Sequence, residues 1–344
     1  MSLGYKTWPH LLLELERLAT ECGGSFKTDE SMRDQDPLRY ADTIKEHIER
    51  QTGDLNQYHH RLRRLYEHSD PPYDELHEMF VRLPVRGIVT TNYDPALEAA
   101  LVNVTPGYVG DNFFVVGERY TIPVSEFLMA MTRVESFPRR IAHLHGRYEP
   151  VDSIVLSAKD YEKVYDVPTT RRAASGRGTV PSWSLHRKLL WTILATRPVI
   201  FVGFSMNDPY LNALLKAVSS DLWRWDEPVH YAVMDVDREN ADLRHEQAKV
   251  FRREHAVEVI FYENLDGRYE GLRRMIEECI QQPTSRPHKF SMEVRDTTER
   301  QPGGIPIGRE HITQPSGAEE GTGQSTWLEE QSSKTERGID LHED

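Results

Sequence analysis

The chain has 344 residues, enough for one large α/β domain or a domain with appendages. Its formal net charge is -13 and its hydrophobic content 38%. An acidic surface repels phosphate backbones and argues against general nucleic-acid binding, and the low hydrophobic content predicts that part of the chain is tail or linker. A local basic patch remains open, with Arg82, Arg86, Arg139, Arg140 and the Arg171–Arg172 pair as candidates for an anion pocket. Cys22 and Cys279 stand far apart, so neither a tetracysteine zinc site nor a disulfide framework is expected. No apolar run reaches the length of a membrane span, and the N-terminus lacks the order of a signal peptide. The expectation is a cytoplasmic protein without a membrane partner.

In chain order, the first predicted helix covers residues 9–22. Leu11, Leu12, Leu15, Leu18, Ala19 and Cys22 recur at helical spacing, and Pro9 suits a first turn. A polar stretch, 23–37, follows. Helical periodicity resumes over 38–48, 58–66 and 73–81, giving a helix-rich insert, 38–81, that suits a lid or an assembly surface. Strands are predicted at 87–90, 112–116, 141–144, 153–156, 198–204, 230–235 and 257–262. Several are short and apolar throughout, as strands buried on both faces are. Helical segments alternate with them at 158–165, 182–195, 209–223, 239–254 and 271–281. The alternation predicts an α/β fold, a doubly wound, Rossmann-like parallel sheet with a helical insert. The clearest unit is 198–223. Its strand ends in Gly203-Phe-Ser-Met-Asn-Asp208, Asp208 reads as an N-cap, and Pro209 begins a helix with Leu211, Leu214, Leu215 and Val218 as its apolar stripe. Beyond residue 285 the apolar periodicity stops and Gly, Pro, Ser, Thr, Gln and Glu dominate. The domain is therefore assigned to 1–285 and a polar, disordered tail to 286–344.

Three clusters at predicted strand ends carry chemistry: Thr90-Thr-Asn-Tyr-Asp-Pro95, His143-Leu-His-Gly146 and Gly203-Phe-Ser-Met-Asn-Asp208. Ligands of such sheets bind beyond the carboxyl ends of the strands. An amide, a carboxylate and a histidine gathered there can do acid–base work on a sugar, while glycine and serine let backbone approach phosphate. Each cluster also has an ordinary reading. Asp94 is placed to cap a helix beginning at Pro95, His145 before Gly146 suits a turn, and Gly-x-Ser is common strand-to-helix punctuation. His59, His60 and His68 read as a solvated helix face rather than a metal site. Trp8, Trp183, Trp191, Trp223 and Trp225 read as core or interface aromatics.

The order of these motifs resembles the sirtuin-like family, in particular the zinc-free sirtuin-like domains of bacterial anti-phage defence systems. That branch has T-N-Y-D after a strand, then L-H-G, a short strand and S/T-x-x-D/E-Y, then an apolar strand ending in G-x-S-x-x-D. Here these read Thr91-Asn-Tyr-Asp94, Leu144-His-Gly146, Ser157-Ala-Lys-Asp-Tyr161 and Gly203-Phe-Ser-Met-Asn-Asp208, and the resemblance covers residues 1–265. By position it implies His145 as catalytic base and Asn92 as the residue that places the attacking water or the ribose hydroxyls. Asp94 would contact the nicotinamide carboxamide, and Gly203 and Ser205 the ribose or phosphates. Thr91 and Asp208 join the same cofactor-binding set, and Asp235 would hold the adenosine ribose. The resemblance implies NAD as substrate, no zinc, and a glycohydrolase that depletes NAD during infection, giving nicotinamide and ADP-ribose. Such an enzyme must be silent at rest, which implies a homo-oligomer or a defence-system partner, such as an ATPase or a nucleic-acid sensor.

The sequence departs from the family in three ways. Members usually open with a strand and a Gly-Ala-Gly-x-Ser loop, whereas this chain opens at Met1-Ser-Leu-Gly-Tyr-Lys-Thr-Trp-Pro9, which resembles the segment after that loop. That implies either a reading frame that starts late or a variant without the loop. The glutamine that precedes the catalytic asparagine of deacylases is Thr91, and the zinc cysteines of deacylases are absent. The last departure makes NAD-dependent deacylation or ADP-ribosyl transfer the least favoured reading. The first motivates an alternative, an NAD or ADP-ribose sensor without catalysis.

Overall fold

A computed structural model describes residues 3, 5–67, 72–105, 112–117, 121–131, 141–166, 169–172, 179–204, 208–222, 228–237, 239–264 and 269–281. The tail assigned to 286–344 lies outside the described residues.

The N-terminal third is helical: α1 Trp8–Glu21, α2 Glu30–Gln35, α3 Pro37–Thr52, α4 Asn56–Tyr66 and α5 Glu75–Arg82. The predicted stripe of α1 is the face it buries, since Leu11, Leu12, Leu15, Leu18 and Ala19 pack against Tyr40, Ile44, Ile48 and Leu62 of α3 and α4. Each such aliphatic burial contributes about 1.5–3 kcal/mol, so this cluster is a core in its own right. Helix α3 starts where the Asp36 carboxylate accepts the Arg39 N–H at 3.2 Å and Pro37 pre-sets φ, and it stops at Gly53 with φ +82°. Helix α2 falls in the polar stretch 23–37, where no helical pattern was read. Its cap is present, Asp29 accepting from Met32 N at 2.9 Å, but it buries no residue, so no apolar period announces it.

The rest alternates strands and helices in an α/β arrangement, with parallel sheets flanked by helices. Strands β1 (Ile88–Thr90), β2 (Phe113–Val115) and β3 (Ile141–His143) form a parallel sheet in the order β1-β3-β2. Helices α6 (Ala96–Val104) and α7 (Thr121–Ala130) lie among them in sequence. Then come α8 (Ala158–Tyr161), a π-helical turn (Glu162–Asp166), an antiparallel hairpin of β4 (Thr169–Arg172) and β5 (Thr179–Ser182), and α9 (Leu185–Thr196). Strands β6 (Ile200–Val202), β7 (His230–Val236) and β8 (Val257–Glu263) form a second parallel sheet, β6-β7-β8. Helices α10 (Pro209–Leu222), α11 (Ala241–His255) and α12 (Glu270–Gln281) alternate with its strands along the chain.

The parallel pairing expected of the fold is seen, among the described residues, as two three-stranded ladders that share one core. Phe114, Ala142 and Leu144 from one and Ala232, Met234 and Val257 from the other meet Leu189, Leu214 and Leu215 in one cluster. Two further expectations change. The strand expected at 153–156 is a 3-10 turn, Val151–Ser153, followed by chain whose Val155 N–H donates to His145 O at 2.8 Å. Val155 and Leu156 are buried, so their apolar signal marks core, not a ladder. Helix α7 and the β4–β5 hairpin were not foreseen. Pro123 reads as a breaker, but it falls in the first turn of α7, where the missing N–H costs nothing. Among the described residues, no helix is long and apolar enough to cross a membrane.

Candidate functional site

Parallel pairing puts strand ends together. Thr90 stands opposite His143 in the β1–β3 ladder, so the segments after the two strands leave the same sheet edge. After β1, the Asn92 N–H donates to Thr90 Oγ1 at 3.1 Å, and the Tyr93 hydroxyl donates to Val155 O at 2.9 Å. Tyr93 and Asp94 are buried while Asn92 is exposed. Asp94 Oδ1 accepts the Ala96 N–H at 3.0 Å, but α6 begins at Ala96 with Pro95 at its N-cap, one residue later than the ordinary reading of Asp94 as a cap for a helix from Pro95. Burial pushes its carboxyl above the usual range, against the pull of that N–H.

The segment after β3 is strapped to the one after β1. Leu144 N–H donates to Thr90 O at 2.8 Å and Tyr148 N–H to Tyr93 O at 2.9 Å. Gly146 has φ +84°, and a Cβ there would lie 2.1 Å from the Ser153 carbonyl oxygen, so both conformation and space demand glycine. His145 is buried with both ring nitrogens engaged: Nε2 meets the Tyr165 hydroxyl at 2.9 Å and Nδ1 the Tyr161 hydroxyl at 3.2 Å. Burial, with His186 adding to it, lowers its pKa to about 3, so the imidazole is neutral at neutral pH. Ser157-Ala-Lys-Asp160 is a capping box that starts α8, and it sets Tyr161 at the end of that short helix, where its hydroxyl also reaches the Asp208 carboxylate.

A buried ionic cluster lies beside these loops. Arg147 Nε donates to Glu98 Oε1 at 2.6 Å, and His143 Nε2 stands 3.2 Å from Glu98 Oε2. His143 Nδ1 lies 3.1 Å from the Asn92 carbonyl oxygen. Burial works to raise Glu98, but His143 and Arg147 hold it below the usual carboxylate range. The Arg147 guanidinium also covers the rings of Phe113 and Tyr148 at 4.7 and 4.5 Å.

The third segment follows β6. Gly203 has φ +65° with open space where a Cβ would stand. Asp208 Oδ1 accepts from Tyr210 and Leu211 N–H, both at 2.9 Å, so it caps α10 as foreseen, and burial raises its carboxyl. Ser205 lies outside the described residues.

These ends open on one cavity of about 740 Å³, within the range of small-molecule sites. Thr91, Asn92, Asp94, His145 and Asp208 line it together. Gly203 and Asp235 are not among its walls, and Asp235 is paired instead with Arg244 at 3.0 Å. Arg82 and Arg86 are not among them either; Arg139 and Arg140 lie outside the described residues, and the side chains of Arg171 and Arg172 are not described. The opposite wall comes from Tyr5, Lys6 and Trp8 and from Asp36 and Leu38, at the starts of α1 and α3. Sequence reasoning missed that wall, although the caps and prolines that begin those helices were visible. It also quoted Tyr161 within a motif without giving it a role, and it missed Tyr165, Glu98 and Arg147, whose partners are distant in sequence. Among the described residues, no group of three or more His, Cys, Asp or Glu is arranged to hold a metal.

The frame is that of a parallel α/β protein, with an amide, a carboxylate and a histidine on one cavity at its strand ends, where ligands of such sheets bind. The family described as SIR2-like domain matches residues 86–260, and the chain belongs to that family. It is 27% identical over 238 residues to the NAD(+) hydrolase ThsA of Enterococcus faecium, covering 68% of this chain and 41% of that protein. It is 26% identical over 244 residues to the NAD(+) hydrolase ThsA of Bacillus cereus (strain MSX-D12), covering 70% of this chain and 42% of the relative. The chain thus spans about two-fifths of the length of these curated relatives.

Proposed function

We propose that this chain cleaves the nicotinamide–ribose bond of NAD with water. The observation that carries the reading is the shared cavity: Asn92, Asp94 and His145 line one space in a SIR2-like chain whose curated relatives are named NAD(+) hydrolases. The bond from ribose C1′ to the ring nitrogen breaks with its electron pair going to nicotinamide. A bond from C1′ to the water oxygen forms, and one proton is released. The products are nicotinamide and ADP-ribose. In this reading Asn92 places the water or the ribose hydroxyls and His145 takes the proton. The Asp94 carboxyl faces the carboxamide and favours the cationic pyridinium and the oxocarbenium-like state. Thr91, Asp208, Gly203 and Ser205 are assigned to ribose and phosphate. Asp235 is assigned to the adenosine ribose, a role that requires its exchange out of the Arg244 pair. NAD is bound as substrate, without zinc. Control by a second copy or a defence-system partner, a role against phage, and action in the cytoplasm belong to the same proposal.

The test is nicotinamide release by the purified full chain. Release that is lost in Asn92→Ala and His145→Ala supports the reading. No release, or full release by His145→Ala, sinks it. One observation favours a second reading, an NAD or ADP-ribose sensor: both nitrogens of His145 are already taken by tyrosine hydroxyls. Calorimetric binding of NAD without turnover would decide for the sensor.

A further inference from the structure

Asn92 lies in the segment after β1 and lines the cavity, but what sets its position comes from β3 and α6. Both ring nitrogens of His143 face oxygens, the Asn92 carbonyl at 3.1 Å and Glu98 Oε2 at 3.2 Å, and because the carbonyl can only accept, Nδ1–H is placed to donate to it. Glu98 is fixed in turn by Arg147 at 2.6 Å, and the three side chains are between 0% and 9% exposed. A buried ionic cluster of this kind is expensive unless every lone pair is met, and replacing it with hydrocarbon is often neutral for stability. Here it ends on the backbone of the one exposed polar residue between Thr91 and Asp94. Two backbone bonds already hold the neighbouring carbonyls, Leu144 N–H to Thr90 O and Tyr148 N–H to Tyr93 O. His143 supplies the bond that Asn92 itself would otherwise lack on this side.

We propose that His143, held by Glu98 and Arg147, is a positioning residue that sets Asn92 against the segment carrying His145. The inference rests on the reading that Asn92 acts on NAD. Its physical content is one side-chain-to-carbonyl bond, which two near-isosteric substitutions separate. His143→Asn keeps a donor near the Nδ1 position and loses Glu98. His143→Gln keeps a donor near the Nε2 position and loses the Asn92 carbonyl.

The experiment measures NAD turnover and amide hydrogen exchange on the full chain for both variants. A misplaced catalytic group costs about 100-fold, so His143→Gln is expected to lower kcat by about that factor with KM changed less than about 3-fold. His143→Asn is expected to stay within about 10-fold of the parent, because the bond to Asn92 is kept. Exchange of the Tyr148 amide, whose acceptor is Tyr93 O, should quicken in His143→Gln and not in His143→Asn, with the amides of α6 unchanged in both. Equal losses in the two variants, or unaltered kcat and exchange in His143→Gln, overturn the proposal. If His143→Gln does not fold, His143→Leu takes its place. It keeps most of the volume and loses the bond to the Asn92 carbonyl, and an unchanged kcat and unchanged Tyr148 exchange would overturn the proposal equally. If the parent releases no nicotinamide, the glycohydrolase reading fails, and the exchange comparison still decides whether His143 orders the Asn92 segment.

Discussion

His143 and His145 stand two residues apart, yet one sits among charges and the other among phenols. His143 faces a carboxylate that Arg147 also holds, so the Glu98 and Arg147 charges meet each other. His145 faces Tyr161 and Tyr165, with Tyr210 stacked on Tyr165 and, among the described residues, no carboxylate hydrogen-bonded to it. Strand alternation does not explain the contrast, because β3 ends at His143 and the chain turns through Leu144 and His145. What differs is what the neighbouring elements offer: α6 brings Glu98, while α8 and the π-helical turn bring hydroxyls. At His145 no carboxylate offsets desolvation, which is why burial, with His186 adding to it, drives it so low. The ionic side is a fixed brace. The phenolic side is a set of hydroxyls, each able to give or take a hydrogen bond.

That contrast can be broken first at its charged end. Glu98→Ala leaves the buried Arg147 guanidinium without its carboxylate, and breaking such a pair costs about 3–5 kcal/mol, read as a fall in the denaturation midpoint at constant slope. A loss under 1 kcal/mol would mean that water meets the guanidinium and the brace is loose. Gly146→Ala strikes the joint between the two sides. The left-handed backbone costs about 1–2 kcal/mol and the clash with Ser153 about 1–3 kcal/mol more, so chemical denaturation should register about 2–5 kcal/mol.

Acid probes the phenolic side. His145 and His186 are lowered to about 3 and about 4, mainly by burial. Above pH 6.5 both are neutral whether folded or unfolded and contribute no slope. Below it the unfolded chain takes up protons that the folded chain refuses, so stability falls as pH drops, to about pH 4 for His186 and about pH 3 for His145. The slope is at most about 1.4 kcal/mol per pH unit for each. Asp94 and Asp208, raised by burial, push the other way as they take up protons. His186→Phe should flatten the slope of melting temperature between pH 6 and 4, and an unchanged slope would remove His186 from the account. The smallest effect is expected from Tyr165→Phe, which deletes one neutral hydrogen bond worth about 1 kcal/mol and a few degrees of melting temperature.

What was legible in the sequence follows from the range of the signal. Helices α3 and α10 were readable because apolar spacing, a carboxylate at the cap and a proline agree within one turn, and α1 from its apolar spacing and Pro9. Strands β1, β3, β6, β7 and β8 were readable as short apolar runs. Residues 153–156 misled for the same reason, since a buried run looks alike whether or not it joins a ladder. In the site, Asn92, Asp94, His145 and Asp208 were visible because each sits at a strand end in a compact motif. The wall from Tyr5 to Trp8 and from Gln35 to Leu38 was not, because nothing local to those residues says which strand ends they will face. Glu98 and Arg147 were hidden in the same way: each reads as an ordinary helix or turn charge until the fold brings 49 residues of separation down to one hydrogen bond.

Trp8 opens α1 and stands in the cavity wall. Its indole is thus a chromophore already mounted on the wall of the cavity. Any molecule that enters displaces solvent from that ring and changes its emission, so occupancy can be titrated optically on unlabelled protein. With the remaining tryptophans replaced, the signal becomes specific to this one wall and separates the act of entering the cavity from whatever happens there afterwards.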